Sequence, residues 1–458
     1  MIHSYKLLGY NIILDIASGS VHSVDEAAFD AITLLGSDGT DSLTEKIKQK
    51  HPKLSENDIT QLISEIRSLI SQGKLFTPDT FSAAAESRKK PSFKAMCFNV
   101  SHLCNMTCTY CFAGKGEYGG SGELMPPETG KRAIDFLLEN SEGRRNLDID
   151  FFGGEPLLNW DVVKEIVLYA NSKQRQVSKN FRFTLTTNGL GINDDVIEFT
   201  NKYMHNIVLS LDGRAETNDF HRKLPNGKSS YAEVLPKIKQ LVDSRRGKGY
   251  YIRGTYTKEN LDFTSDIFHL ADLGFEELSL EPVVAKKEEP YALQKNDLPK
   301  ILEQYEILCN EMIRRKSLGK GFNFYHYNLD LNKGPCVHKR IAGCGVGTEY
   351  LAVSPDGSLY PCHQFVGDET FKMGDVWSGV DNKKQKFGIA FSSANIYTRP
   401  ECKGCWARLY CSGGCAANAY NDTGSIFGVY ELGCEMFKKR IECAIVLKAA
   451  GLIQTDFA

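Results

Sequence analysis

Three cysteines lie within eight residues of one another, at Cys104, Cys108 and Cys111. A cube of four irons and four sulfides normally takes four thiolates, one for each iron. Three thiolates at this spacing hold three corners and leave the fourth iron open to another ligand. A structural zinc site is the alternative, but it needs four nitrogen or sulfur ligands, and no histidine follows closely after Cys111. The spacing therefore predicts a 4Fe-4S cluster with one iron available for chemistry.

The composition predicts a large enzyme of the cytoplasm. The 458 residues correspond to about three domains of ordinary size. The formal net charge of −2 gives no reason to expect a nucleic acid or an anionic membrane as partner. The N-terminus lacks the apolar segment of a signal peptide, and no run of about 18 apolar residues predicts a membrane-spanning helix. In such a chain, 14 cysteines indicate metal binding rather than disulfides.

Residues 1–80 predict a small unit of strands followed by helices. Residues 5–16 and 18–24 have the composition of short strands around a turn, and apolar residues at helical spacing follow over 26–35 and 56–72. This order resembles the winged-helix-like recognition element of peptide-modifying enzymes, which would bind a leader peptide by adding a strand to its sheet edge. A capping domain or a DNA-binding winged helix is the alternative, although the low basicity argues against DNA. Residues 81–92 predict a linker.

Residues 93–305 alternate between strand and helix patterns. This alternation predicts a parallel sheet with helices outside, and six such units predict a partial, TIM-like (β/α)6 barrel. Sites in such sheets form at the carboxyl ends of the strands. The cysteine loop follows the first predicted strand, a Gly-Gly-Glu-Pro segment at 153–156 follows the second, and Thr-Asn-Gly at 187–189 follows the third. The predicted strands are 95–100, 147–152, 181–186, 206–211, 251–256 and 277–282.

These motifs resemble those of the radical S-adenosylmethionine (SAM) superfamily, in which the open iron binds SAM. An aromatic residue, Phe112, follows the cysteines as in that family, and Tyr110 between them is expected to serve packing. An arginine suits the SAM carboxylate because its planar fork pairs with two oxygens at once. Two alternatives stay open: residues 153–156 could form a simple turn, and Arg222 could be a surface charge. The resemblance implies contacts to the SAM amino group from Gly153, Gly154 and Glu155, to its ribose from Ser210, and to its carboxylate from Arg222.

Residues 306–458 lose the alternating pattern and are rich in cysteine. Their spacing resembles the SPASM extension of radical SAM enzymes, which houses two auxiliary clusters and would bring the total to three 4Fe-4S clusters. A zinc ribbon is the alternative for residues 402–415 taken alone. Two full clusters need eight thiolates and the pattern supplies seven, so either Cys336 or a substrate thiolate could complete the inner cluster. The resemblance implies Cys402, Cys405, Cys411 and Cys434 as ligands of the outer cluster and Cys344, Cys362 and Cys415 as ligands of the inner one.

The whole chain resembles the radical SAM/SPASM maturases that build sactionine-type thioethers in SCIFF peptides, which are short, cysteine-rich ribosomal precursors. The resemblance implies that a 5′-deoxyadenosyl radical takes a hydrogen from a peptide carbon. A substrate thiolate on the inner cluster then bonds to that carbon. It also implies a leader bound by the N-terminal unit and an electron donor such as a ferredoxin or flavodoxin. The alternatives are an anaerobic sulfatase maturase, which would have an aspartate where His363 follows Cys362, and a non-catalytic iron–sulfur protein.

Overall fold

The structure of this protein is a computed structural model that describes residues 1–38, 42–83, 92–120, 122–174, 176–331, 341, 343–381 and 385–451. Its frame consists of a 3-stranded antiparallel sheet near the N-terminus and an 11-stranded mixed sheet. Within the described ranges, no helix combines the length and the apolar character needed to cross a bilayer.

The N-terminal unit packs its small sheet against helices, in the order that the sequence predicts. The middle strand buries Ile13 among apolar helix residues that include Ile32 and Ile59. Ser55 begins the last of these helices, and its hydroxyl accepts a hydrogen bond from the amide of Asp58 at 3.1 Å. The elements are β1 (Ile2–Leu7), β2 (Tyr10–Asp15), β3 (Val21–Val24), α1 (Glu26–Asp38), α2 (Leu43–Lys50) and α3 (Glu56–Ser71).

The N-terminal unit lies directly against the cysteine-rich C-terminal part. The ring of His3 stacks on Trp406 with centroids 3.7 Å apart, and His3 Nε2 is 3.0 Å from a carboxylate oxygen of Glu442. After α3, Asp79 accepts a hydrogen bond from Arg408 at 2.8 Å. Stacking, ion-pair and hydrogen-bond contacts therefore join the two ends of the chain.

Six neighbouring parallel strands form a partial barrel of β/α units in the middle of the chain, which confirms the predicted fold class. The strands follow one another in chain order, and their bounds agree with the predicted ones to within a residue or two. The strands are β4 (Ala95–Ser101), β5 (Asn146–Gly153), β6 (Asn180–Thr187), β7 (Asn206–Ser210), β8 (Tyr251–Tyr256) and β9 (Glu277–Pro282), and the helices are α4 (Pro127–Glu139), α5 (Trp160–Gln174), α6 (Asp194–Tyr203), α7 (Ala215–His221), α8 (Ser230–Ser244), α9 (Phe263–Asp272) and α10 (Leu298–Ser317).

Alternate side chains along a barrel strand lie on opposite faces of the sheet. In β5, Leu147, Ile149 and Phe151 are fully buried in the core that also contains the apolar residues of α5. Asp148 and Asp150 alternate with them and therefore lie on the other face of the sheet. We call this second, polar face the lumen of the barrel. Its side chains are available to build a site.

Residues beyond the predicted boundary at 305 extend the same sheet at both of its edges. One short strand pairs in parallel with β9, and another pairs in parallel with β4. Main-chain hydrogen bonds thus join the C-terminal part to the barrel, and the domain boundaries at 80, 92 and 305 remain predictions. The elements are β10 (Asn323–Phe324), β11 (Tyr350–Val353), β12 (Ser358–Tyr360), β13 (Gly374–Asp375), β14 (Gly379–Val380), α11 (Gln385–Ser393), α12 (Pro400–Lys403), α13 (Arg408–Cys411), α14 (Ala416–Thr423) and α15 (Glu431–Ala449).

Candidate active site

A pocket opens at the carboxyl ends of the barrel strands, where the sequence motifs were expected to meet. The loop after β4 forms part of its wall, and residues of the distant C-terminal part form another. Every residue expected to contact SAM and all three cysteines of the loop line this pocket. They are Cys104, Cys108, Cys111, Gly153, Gly154, Glu155, Ser210 and Arg222.

The cysteine loop is held in place by side chains from other strand ends. The hydroxyl of Thr109 lies 2.8 Å from Nδ1 of His221, at the end of α7. The side-chain amide of Asn188, after β6, donates a hydrogen bond to Asn105 at 2.7 Å. Two neighbouring barrel units therefore fix the backbone that presents the thiols.

The donor set of the loop fits an iron–sulfur cluster. Burial raises the pKa of the Cys104 thiol to about 12 and also raises the pKa of Cys108. A bound cation would favour the thiolate forms, which are the forms that ligate metals. Among the described residues, no three His, Cys, Asp or Glu side chains converge closely enough to hold a single metal ion. Three separate thiols on one wall match a group in which each iron takes its own thiolate.

Two glycines allow the chain after β5 to run against the cysteine loop. Gly153 has a φ of 131°, and a Cβ there would lie 2.3 Å from the carbonyl oxygen of Ser101. A Cβ on Gly154 would lie 2.3 Å from the carbonyl oxygen of Leu103 and 3.2 Å from the amide nitrogen of Cys104. The main chain at 153–154 therefore forms the pocket wall itself, which a simple turn would not require.

Glu155 is buried, and the protein already satisfies most of its carboxylate. Its Oε1 accepts hydrogen bonds from the Leu157 amide at 3.0 Å and the Thr187 hydroxyl at 2.7 Å, and Oε2 accepts one from the Asn188 amide at 2.8 Å. Burial raises the pKa of this carboxyl. Because a carboxylate offers about four acceptor sites, Oε2 can accept one more donor from a ligand.

Arg222 is part of a buried hydrogen-bonded group at the pocket, so the alternative of a surface charge is wrong. It is only 9% exposed, and its Nη1 donates to the hydroxyl of Tyr110 at 3.0 Å. That hydroxyl in turn donates to Asp212 at 2.6 Å. Burial raises the pKa of Asp212, and the positive charge of Arg222 opposes the rise. Tyr110, which the sequence assigned to packing, thus connects the cysteine loop to the arginine.

We expect Tyr110→Phe to weaken SAM binding by up to about tenfold, because a hydrogen bond to a charged group is lost and Arg222 becomes freer to move. The dissociation constant of the reconstituted protein for SAM measures this effect. Tyr169→Phe is the matched control, since its hydroxyl donates to Asp135 at 2.8 Å away from the pocket. Equal SAM affinities for the two variants would contradict the expectation.

The four cysteines that the resemblance implies as ligands of the outer cluster lie near one another. Cys411 lies within electrostatic range of Cys434, Cys402 and Cys405, and burial raises its pKa to about 12. Cys402 lies in α12, Cys411 in α13 and Cys434 near the start of α15, and Cys405 lies between α12 and α13. The neighbouring Trp406 stacks on His3 of the N-terminal unit, so the outer group lies close to that unit.

The inner group lies next to the pocket. Cys362 is within electrostatic range of Cys415 and Cys344, and burial raises its pKa. The next residue, His363, lines the pocket together with the loop cysteines. Cys336, the other candidate for this group, lies outside the described residues.

The lumen also contributes pocket residues that the sequence analysis did not single out. Arg253 and Thr255 of β8 and Glu281 of β9 line the pocket. Strand alternation was the signal that could have found them, since every second residue of a predicted barrel strand faces the lumen.

Three comparisons with known proteins agree with this geometry. The model of the radical SAM superfamily matches residues 98–264. The chain is 28% identical over 374 residues to the cysteine-type anaerobic sulfatase-maturating enzyme of Clostridium novyi. The matched region covers 75% of this chain and 92% of that protein. The structure of anSMEcpe with bound AdoMet has a TM-score of 0.65 at 21% identity, over 80% of this chain and 96% of that one.

A second solved structure with a similar fold is SuiB of Streptococcus suis bound to the precursor peptide SuiA. It has a TM-score of 0.54 at 16% identity, over 94% of this chain and 98% of that one. Because the match covers 94% of this chain, it must include part of residues 1–80. The shared fold therefore extends into the N-terminal unit.

Proposed function

We propose that this chain, a member of the radical SAM superfamily through residues 98–264, forms thioether cross-links in a cysteine-rich ribosomal peptide of the SCIFF type. The family match and relatives such as the C. novyi maturase support the broader conclusion that it is an enzyme modifying a peptide or a protein. The thioether assignment goes further. It is carried by the position of the inner cysteine group beside the pocket.

That position would let one bound peptide reach both cysteine groups. The residues after Cys362, His363 and Gln364, line the same pocket as the three loop cysteines. When bound, the iron–sulfur clusters and SAM supply hydrogen-atom removal from carbon, an acceptor for the second electron, and an iron that holds a substrate sulfur as thiolate. Each cross-link forms one C–S bond, and the peptide loses the thiol hydrogen and one carbon-bound hydrogen.

The chain's own residues would hold and orient the reactants. Arg222 is held in place by its hydrogen bond to Tyr110, which in turn bonds to Asp212. Its planar guanidinium suits the SAM carboxylate because it can donate to both carboxylate oxygens at once. The free acceptor site of Glu155 suits the ammonium group, and the hydroxyl of Ser210 suits the ribose. The main chain at 153–154, which forms part of the pocket wall, would lie close to the ligand.

The N-terminal unit suits the leader of the precursor. Among the described strands, β3 is at the edge of its sheet and pairs only with β2. An extended peptide can add to such an edge by main-chain hydrogen bonds. The likeness to a SuiB structure that contains a precursor peptide supports this role. The proposal also includes three 4Fe-4S clusters, a ferredoxin or flavodoxin as electron donor, and a cytoplasmic location without nucleic-acid or membrane partners.

Formylglycine formation in a sulfatase is the second candidate, because relatives of this chain include sulfatase-maturating enzymes. Those enzymes are expected to carry an aspartate directly after the inner-cluster cysteine, where this chain has His363. The histidine favours cross-linking, and the mass of the product distinguishes the two reactions.

The deciding experiment uses anaerobically reconstituted enzyme with SAM, a reductant and the cysteine-rich peptide encoded beside its gene. Loss of two hydrogens per modification, with cysteines that no longer alkylate, is the expected result. Loss of a thiol's sulfur with gain of an aldehyde would assign the enzyme to formylglycine formation instead. The same peptide with alanine in place of every cysteine is the control, and it should keep its mass.

A further inference from the structure

The lumen beside the expected SAM contacts carries a charged side chain that the proposed chemistry does not use. Arg253 lies in the middle of β8, where its exposed side chain lines the pocket. The β7–β8 register places it beside Ser210. No hydrogen bond or ion pair joins its guanidinium to any other residue in the part of the chain that the structure describes. Its five N–H donors are therefore available to a molecule in the pocket.

An acceptor lies on the next strand. Glu281 of β9 lines the same pocket, and its side chain is 29% exposed. One of its carboxylate oxygens is 3.3 Å from Nε2 of His326. Arg440 lies behind this ring, with Nη1 at 3.3 Å from Nδ1, so the ring hydrogen is on Nε2, which also lies 3.4 Å from the hydroxyl of Ser279. Burial raises the pKa of the Glu281 carboxyl, but His326 and the positive charge of Arg253 lower this pKa by more, so it lies below its usual range.

We propose that Arg253 and Glu281 form a subsite for the main chain of the substrate peptide. Arg253 donates hydrogen bonds to a peptide carbonyl oxygen, and Glu281 accepts one from a peptide N–H. This inference rests on the proposed function, because it names how the peptide is held in the pocket where it would react.

The mixture of charges favours a neutral, dipolar group over a charged side chain. An acidic side chain would meet Arg253 but also the carboxylates of Glu281 and Asp150, the second of which is within electrostatic range of Arg253. A basic side chain would meet the carboxylate of Glu281 but would be repelled by Arg253. A peptide group presents an acceptor and a donor together, so it satisfies both partners without net charge.

The subsite also lies where a reacting peptide would have to pass. Arg253 lines the same pocket as His363, the residue that follows Cys362. Its register partner on the neighbouring strand is Ser210, which belongs to the expected SAM site. A main chain held by Arg253 would therefore run between the two cysteine groups.

The test compares Arg253→Gln and Glu281→Gln with the wild type in two measurements. The first is the affinity of the reconstituted enzyme, with SAM but without reductant, for the leaderless form of the peptide encoded beside the gene. The second is the affinity of the same reconstituted enzyme for SAM without peptide. Both variants should lose peptide affinity about tenfold, since a hydrogen bond to a charged group is removed, and this loss should exceed any loss of SAM affinity.

Arg182→Gln is the matched control. This arginine is also on a barrel strand, but Asp148 already binds it at 2.6 and 2.8 Å, and it does not line the pocket. Its variant should keep the wild-type peptide affinity. Arg253→Lys should recover only part of the loss, because a lysine keeps the charge but lacks the fork.

Two outcomes would overturn the subsite, and a third would separate the subsite from the proposed reaction. Unchanged peptide affinity in Arg253→Gln would overturn the subsite. A parallel loss of SAM affinity would also overturn it, by assigning Arg253 to the SAM site. If the wild type binds the peptide and the variant does not, but no thioether forms under reducing conditions, the subsite stands and the proposed reaction fails.

Discussion

Substituting Gly154 with alanine is expected to lower the rate of SAM cleavage about 100-fold, the cost typical of a reacting group displaced by about 1 Å. A Cβ at this position would lie 2.3 Å from the carbonyl oxygen of Leu103 and 3.2 Å from the amide nitrogen of Cys104. These are backbone atoms, so no side chain can rotate away to relieve the contact. The cysteine loop itself would have to shift, and the expected ligands of the cluster would shift with it.

The measurement is 5′-deoxyadenosine production by the reconstituted variant, together with its iron content and thermal unfolding. Gly143→Ala is the matched control, since a Cβ there meets nothing within 4 Å, and it should leave cleavage and stability unchanged. Cleavage by Gly154→Ala within about twofold of the wild type would show that the backbone contact does not position the loop.

The second large effect concerns the inner cysteine group. We expect Cys362→Ala to abolish thioether formation while SAM cleavage without peptide continues at a rate similar to that of the wild type. The reason is that Cys362 belongs to the group beside the pocket, with Cys344 and Cys415, and not to the loop where SAM is expected to bind. Removing one of three thiolates should release the inner cluster and with it the iron that would hold the substrate sulfur.

Peptide mass, iron content and SAM cleavage are measured on the same preparation. Cys309→Ala is the control, because this cysteine is fully buried outside both groups and donates its thiol hydrogen to the Cys443 carbonyl. Its loss should cost about 1 kcal/mol of stability, as for other small deletions in a core, and should leave iron and product unchanged. A Cys362→Ala variant that still cross-links fully would disprove the role of the inner group.

Local sequence determined the barrel. The six strands could be placed because each is a short run of apolar and β-branched residues between helical patterns, and such patterns depend on neighbouring residues alone. The cysteine loop could be recognised for the same reason, since its three thiols are fixed within eight residues. The strand-end positions of residues 153–156 and Ser210 followed from the parallel order of the strands.

Tertiary structure decided what surrounds these motifs. Only the fold brings His363 to the pocket that Cys104 lines, more than 250 residues earlier in the chain. Only the fold places the Tyr110 hydroxyl between Arg222 and Asp212, an arrangement that no spacing in the sequence encodes. A lone Arg253 in a strand gives no signal that its guanidinium lacks a partner.

The physical reason is the range of the interactions. Secondary structure and a compact ligand loop depend on residues a few positions apart, so a sequence pattern reveals them. Burial, hydrogen-bond partners and the walls of a pocket depend on contacts between segments that are distant in the chain. For this protein the sequence alone determined the barrel and the cysteine loop, and the tertiary structure decided which side chains face the pocket and what they can bind.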